Sequence, residues 1–324
     1  MIKINRKECP SSIQISQNGT PKSKGQKETE EAISFYQIKT NRKEKFKKKK
    51  KRGEGYTQES YSAYKEDDVR KELVAIFKGK CAYCETEIVA ACPGDIEHFR
   101  PKGGYNVKDS IVKPGYYWLA ADWENLLLAC PNCNQTHTYL IFEGDKWIEK
   151  VVGKLNQFPL DDESKRLTCE SGRLFFNGDY EDLHKEEEEV RLLLKPCTDN
   201  VEDYFEYSEE GLIRSKKSLE GIDLKRAKTS ILVCALQRSE LVKKREQKII
   251  DIKVQVERVI EIIGDLNDED SRNLVKFEKI KNRLRKELRI LKEFMLPEKE
   301  FAGLARYFIK KFMQSVDDKW KETE

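Results

Sequence analysis

Two cysteine pairs carry the most specific chemistry in the chain: CAYC holds Cys81 and Cys84, and CPNC holds Cys130 and Cys133. Four soft thiolates complete a tetrahedral zinc shell, and a filled shell leaves no position for water or substrate. The pairs are therefore read as a structural zinc site, with redox cysteines as the alternative. Between them lies GDIEHFRPKGG, in which Glu97 and His98 are adjacent. Hydrolysis at phosphorus wants a hard oxygen ligand for a cation and a base for water, and an acid and a histidine at a strand end can flank one phosphate. Taken alone, such a pair reads more readily as ordinary structural residues. The downstream limb DWENLLLACPNCNQTH changes that weighting, because Asn125 precedes an apolar run and Asn134 follows the last cysteine. Pro131 suits the first turn of a helix, which would start at the zinc and aim Asn134 at the strand carrying Glu97 and His98.

The elements that must position these residues can be read from spacing. Val69, Leu73, Ile76 and Phe77 recur at helical steps after an acidic turn, and Gly79 supplies a stop, so a helix leads into Cys81. From Cys81 to Pro159 the pattern is short and broken by Gly103, Gly104, Pro114 and Gly115, which suits a small α+β unit that needs a metal staple. Ile249, Ile252, Val256, Val259 and Ile263 mark one helix face, GDLNDED marks a turn, and Phe277, Ile280, Leu284, Leu288, Leu291 and Met295 mark a second face, predicting an antiparallel helical hairpin that ends at Pro297. A last amphipathic segment presents Phe301, Leu304, Phe308 and Phe312. The expected organisation is a segment over 1–64 with a basic, flexible arm, a core over 65–160, mixed connecting structure over 161–223 and a helical domain over 224–324.

Composition sets the remaining limits. With 38% apolar and 37% charged residues, the 324-residue chain has the balance of a protein rich in solvated helices. No apolar run is long enough to span a membrane, and MIKINRKECP lacks the apolar stretch of a signal peptide, so the expectation is a cytoplasmic protein with no membrane partner. The nine cysteines are odd in number and dispersed, which favours reduced thiols; Cys9, Cys92, Cys169, Cys197 and Cys234 are read as small buried apolar residues. A net charge of +4 is too small to argue for nucleic acid. The local run RKEKFKKKKKR, Arg42 to Arg52, suits phosphate attraction and equally suits a solvated loop.

These motifs together resemble the zinc-bearing HNH endonucleases, which combine a first Cys pair, an acid-His pair, an Asn-Leu and a second Cys pair followed by His or Asn. Here those elements are CAYC, IEHFRP, ENL and CPNCN. Within that superfamily the chain is similar to the HNH subunit of Septu-type anti-phage systems, also found beside retrons, on MIKINR, YYWLAADWENLLLACPNCN, QFPL, LLLKPCTDN and EFAGLARYF. The resemblance implies an α+β fold with a ββα-metal, treble-clef-like core stapled by zinc and a mainly α-helical C-terminal region. It implies His98 as general base, Glu97 and Asn134 as ligands of a catalytic Mg2+ or Mn2+, and Asn125 as the residue orienting the histidine. Arg100, Lys102 and His137 are candidate phosphate contacts. His137 stands roughly where relatives carry a basic residue after the Asn; a third metal ligand one helical turn from Asn134 is a second use for it, and a plain surface residue is the reading that weighs as much as those two together. Implied partners are a nucleic-acid substrate, an ATP-binding protein of the ABC/SMC-like kind and, in some systems, a retron reverse transcriptase with its RNA and DNA. This chain has no Gly-x-x-x-x-Gly-Lys-Ser/Thr phosphate loop, so ATP chemistry would come from the partner. The competing reading is a zinc-stapled adaptor without catalysis, which has no reason to keep Glu97, His98, Asn125 and Asn134 in register.

Overall fold

In the computed structural model, which describes residues 1–16, 20–46, 61–268 and 274–322, the ordered chain begins earlier than composition suggests. Ser23 caps helix α1 (Lys24–Gln37) by accepting a hydrogen bond from the Gln26 amide at 3.0 Å, and Ala32, Ile33 and Tyr36 line its buried face. The expected flexible arm is thus corrected over this stretch: apolar residues are few, but they fall on one side of a helix and suffice to dock it. Glu28 on the same helix is buried and accepts from the amides of Ser62, at 2.9 Å, and Ala63, at 3.3 Å, which fixes the segment entering the core. Most of the basic run, from 47 onward, lies outside the described residues.

Helix α2 (Asp67–Phe77) buries Val69, Leu73, Ile76 and Phe77 as its spacing predicts, and stops where Lys78 and Gly79 turn to positive φ. Strand β1 (Asp95–His98), the hairpin β2 (Tyr105–Val107) and β3 (Ser110–Val112), and strand β4 (Leu126–Ala129) follow. β1 and β4 pair antiparallel with Glu97 opposite Leu127 and His98 opposite Leu126. Every residue of β4 is buried, so the apolar run after Asn125 is the floor on which the Glu-His strand lies. Helix α3 (Pro131–Asn134) is a single turn with Pro131 in its first positions.

The chain then makes a two-stranded ribbon, β5 (His137–Glu143) and β6 (Lys146–Val152), joined by Gly144 and Asp145. Both turn residues have positive φ, 59° and 60°, as a two-residue type I′ hairpin requires. Helix α4 (Asp179–Val190) occupies the connecting region and carries the acidic run from Glu186 to Glu189. A short hairpin, β7 (Phe205–Tyr207) and β8 (Ile213–Ser215), leads to α5 (Gly221–Val233), α6 (Ser239–Asp268), α7 (Leu274–Glu293) and α8 (Ala302–Glu322).

α6 and α7 lie antiparallel: Gln255 donates to the Glu287 carbonyl at 3.0 Å, and Asp265 pairs with Arg283 at 3.5 Å. On α6 the buried face runs Ile249, Ile252, Val259 and Ile262, so the drift of a 3.6-residue helix brings Ile262 inward ahead of the expected Ile263. Part of the expected turn, 269–273, lies outside the described residues. One contiguous apolar core runs from Met1 and Ile2 through β4 to Phe301, Leu304 and Ile309, so both ends of the chain share it. The architecture is mixed α+β, with four separate two-stranded sheets among the described residues, and no described helix is long and apolar enough to cross a membrane.

Candidate active site and metal centre

The four paired cysteines converge. Their sulfur atoms lie within 4.8 Å of one another, all are buried, and Cys84 and Cys130 Sγ are 3.8 Å apart. Tetrahedral zinc with bonds of ~2.3 Å would set its sulfurs ~3.8 Å apart, so this donor set fits the ion in softness, number and spacing. The first pair sits on a turn whose Ala82 amide donates to the Leu128 carbonyl of β4, and the second begins α3. A zinc at this point joins the start of the core to its end. Arg238, just before α6, adds a buried donor: its Nη1 lies 3.4 Å from Cys133 Sγ. A cation beside a four-thiolate zinc offsets the net negative charge of the centre. Among the other cysteines Cys234 is buried as expected, whereas Cys9, Cys92, Cys169 and Cys197 are half-buried.

His98 ends β1 and is almost fully buried, with 5% exposure. Its Nε2 is 2.9 Å from the Ala120 carbonyl; a carbonyl only accepts, so Nε2 carries the proton and Nδ1 is the lone pair. Lys102 Nζ lies 3.2 Å from Nδ1, and the Tyr64 ring meets the imidazole edge-on with centroids 4.7 Å apart. Burial, then the charge of Lys102, holds the imidazole well below its ordinary pKa and so neutral. Asn125 spans the neighbouring main chain: its Oδ1 accepts from the Arg100 amide at 2.7 Å, and its Nδ2 donates to the carbonyls of Arg100 and Leu119, each at 3.0 Å. The second of these bonds fixes the turn that presents the Ala120 carbonyl to His98.

The oxygen ligands are arranged differently from the expectation. Glu97 is buried and its Oε1 lies 2.5 Å from Lys154 Nζ as an ion pair, without a well-angled hydrogen bond to any described group. Burial pushes this carboxyl up, and the Lys154 charge pulls it back. Asn134 does not meet Glu97: its Nδ2 donates to Asp95 Oδ2 at 2.9 Å, and Gln135 Nε2 reaches the same oxygen at 3.2 Å. Asp95 and Glu97 alternate onto one face of β1. Oxygen donors of the kind a hard divalent cation takes are thus present, but Glu97 is engaged by Lys154 and Asp95 by Asn134 and Gln135, and the grouped metal-type side chains among the described residues are the four cysteines.

Lys154 and Asp95 are the residues that sequence reasoning missed. Lys154 is fully buried and also donates to the His98 carbonyl at 2.9 Å. The β5–β6 ribbon closes on itself, so Lys154 N reaches the Cys133 carbonyl and Leu155 N the Asn134 carbonyl. Gly153, at φ 150°, makes this possible, since a Cβ there would lie 2.0 Å from the Gln135 carbonyl oxygen. The ribbon is therefore an excursion, and its return brings the Lys154 backbone beside Cys133 and Asn134. For His137 the helical-turn link to Asn134 is corrected: α3 ends at Asn134, so His137 opens a strand, exposed and edge-on to Tyr139. Arg100 is also corrected as a phosphate contact, because its buried guanidinium is taken by Glu187 at 2.7 Å and Glu188 at 2.6 Å. That pair was hidden in the acidic run of α4, where Glu187 is fully buried and also accepts from Tyr116 and the Leu167 amide.

Fold and site define a mixed α+β protein built around a buried four-cysteine centre suited to zinc. No family model matches the chain. The Septu protein PtuB of Bacillus mycoides (strain KBAB4) is 31% identical over 271 residues, 82% of this chain and 73% of that protein. This chain belongs to the Septu PtuB family. The Septu protein PtuA of the same strain is 28% identical over 181 residues, 55% of this chain but 20% of that protein.

Proposed function

We propose that the chain is a metal-dependent nuclease with an HNH, ββα-metal core over 65–160, acting in an anti-phage Septu system. The observation that carries the reading is the state of His98: a neutral imidazole tied through Nε2–H to the Ala120 carbonyl, with its Nδ1 lone pair on the side away from that tie. A ring held in that tautomer is a general base in waiting. Water positioned at Nδ1 would give His98 its proton as its oxygen attacks phosphorus, and the departing sugar oxygen would leave from the opposite side. Asn125 keeps the base aligned by fixing the turn that carries its anchor. Glu97, Asn134 and Asp95 would hold Mg2+ or Mn2+, which when bound neutralises charge on the phosphate. Zinc on Cys81, Cys84, Cys130 and Cys133 holds the frame and takes no part in the reaction.

The PtuA match supports a Septu partner, which we take to be an ATP-binding protein that docks on the helical region 224–324. The test is incubation of the purified chain, alone and with its PtuA-type neighbour, with labelled DNA and RNA in magnesium and in EDTA. Cleavage should require magnesium and disappear in His98→Ala while zinc content stays at the wild-type level. Cleavage by His98→Ala at the wild-type rate would sink the mechanism.

A further inference from the structure

Resting on the reading of His98 as the base, we propose that Lys102 withholds and releases that base: its ammonium caps the Nδ1 lone pair in the substrate-free protein and leaves it for a backbone phosphate. An ammonium can only donate and Nε2 already carries the ring proton, so the 3.2 Å contact uses the last acceptor of the imidazole. A water at Nδ1 and Lys102 Nζ would compete for one lone pair. The Tyr64 ring closes the same side, with Lys102 Nζ 4.5 Å from its centroid.

Three features make Lys102 the movable part. First, it has no carboxylate partner within salt-bridge distance among the described residues, whereas Arg100 and Lys154 in the same site are each neutralised by glutamates. A half-buried cation without an anion is a phosphate site in charge and position. Second, the main chain beneath it is pinned: the Tyr116 amide donates to the Pro101 carbonyl at 2.9 Å, and a Cβ on Gly115 would lie 2.2 Å from that oxygen. Release must therefore come from the side chain, whose four-carbon stem rotates freely. Third, Glu28 anchors Ser62 and Ala63, so Tyr64 stays in place as a wall along which the ammonium can swing. Substrate would thus arm its own base, and bulk water would meet a capped one.

The experiment uses protein labelled with 15N-histidine, in which only three histidines contribute signals. Lys102→Met removes the donor while keeping the stem, and should move the His98 Nδ1 resonance downfield, towards an uncapped lone pair. A short DNA duplex, or an RNA of equal length in a parallel arm, added to zinc-loaded wild-type protein in magnesium-free buffer should move the same resonance in the same direction, and have little further effect on Lys102→Met. An unmoved Nδ1 signal in a folded Lys102→Met would overturn the proposal. So would a wild-type signal that stays in place at saturation with bound nucleic acid, a result that decides the matter even where the variant fails to fold. Failure of the nuclease reading is separate, since it appears as uncut substrate in magnesium whatever the spectrum shows.

Discussion

Replacing Lys154 with methionine strips the counter-charge from a carboxylate that has little access to water. The Lys154 side chain is 0% exposed and that of Glu97 7%, with Nζ and Oε1 2.5 Å apart. Removing one member of a buried pair costs about 3–5 kcal/mol because the other charge stays behind uncompensated. Glu97 has an escape, which is to take a proton. Its folded-state pKa is already raised by burial and opposed by Lys154, so loss of the lysine drives it further up. A raised carboxyl pKa means the folded state binds the extra proton, and stability falls as pH climbs from the unfolded value through the folded one. The Lys154→Met deficit should therefore grow as pH rises above the ordinary carboxylate range and shrink as pH falls back towards it. Urea unfolding followed by circular dichroism, with zinc saturating and magnesium absent, reads this directly. The double variant with Glu97→Gln should recover most of the loss, since a neutral amide needs no counter-ion. A deficit under about 1 kcal/mol at the higher pH, or a double variant no more stable than the single one, would refute the reasoning.

Zinc removal should be more drastic. Binding at a structural zinc site is worth about 10–16 kcal/mol, comparable with or above the whole stability of a domain, so exhaustive chelation or Cys133→Ser should abolish the near-ultraviolet circular dichroism of the buried Trp118 and Trp123. A retained native spectrum in zinc-free protein would count against the staple. His184 gives a second pH effect: burial, then Arg100, depresses it to about 4. The unfolded chain then binds the proton first, so stability should decline as pH drops from about 6.5 to about 4, by about 1–2 kcal/mol once screening at a side chain 31% exposed is allowed for. Urea midpoints of His184→Gln should lack that decline.

The cysteine cluster was legible because softness and CxxC spacing leave few other uses for four thiols, and helices α2, α6 and α7 because their apolar residues step regularly; α1 and α4, poorer in apolar residues, were not. Glu97 and His98 could be placed on a strand by the apolar run that pairs with them. Asp95 could not be singled out, since an aspartate two residues before a histidine carries no signal until the chain folds Asn134 onto it. Lys154 was concealed by the ribbon: sequence distance from Asn134 hid a backbone contact made by the returning strand. The signal that was available is the turn itself, Gly144–Asp145 between alternating residues, which marks a hairpin and hence a return. Arg100 misled for the opposite reason, because the glutamates that neutralise it lie in a charged run that reads as solvent-facing.

The contact between Arg238 and Cys133 gives the long helix α6 a root. At 1.5 Å per residue its 30 residues form a rod about 45 Å long, seated within one side chain of the zinc sulfurs. Asn134 is the next residue after Cys133. The base of that rod is therefore tied by one side chain to the cysteine that precedes Asn134.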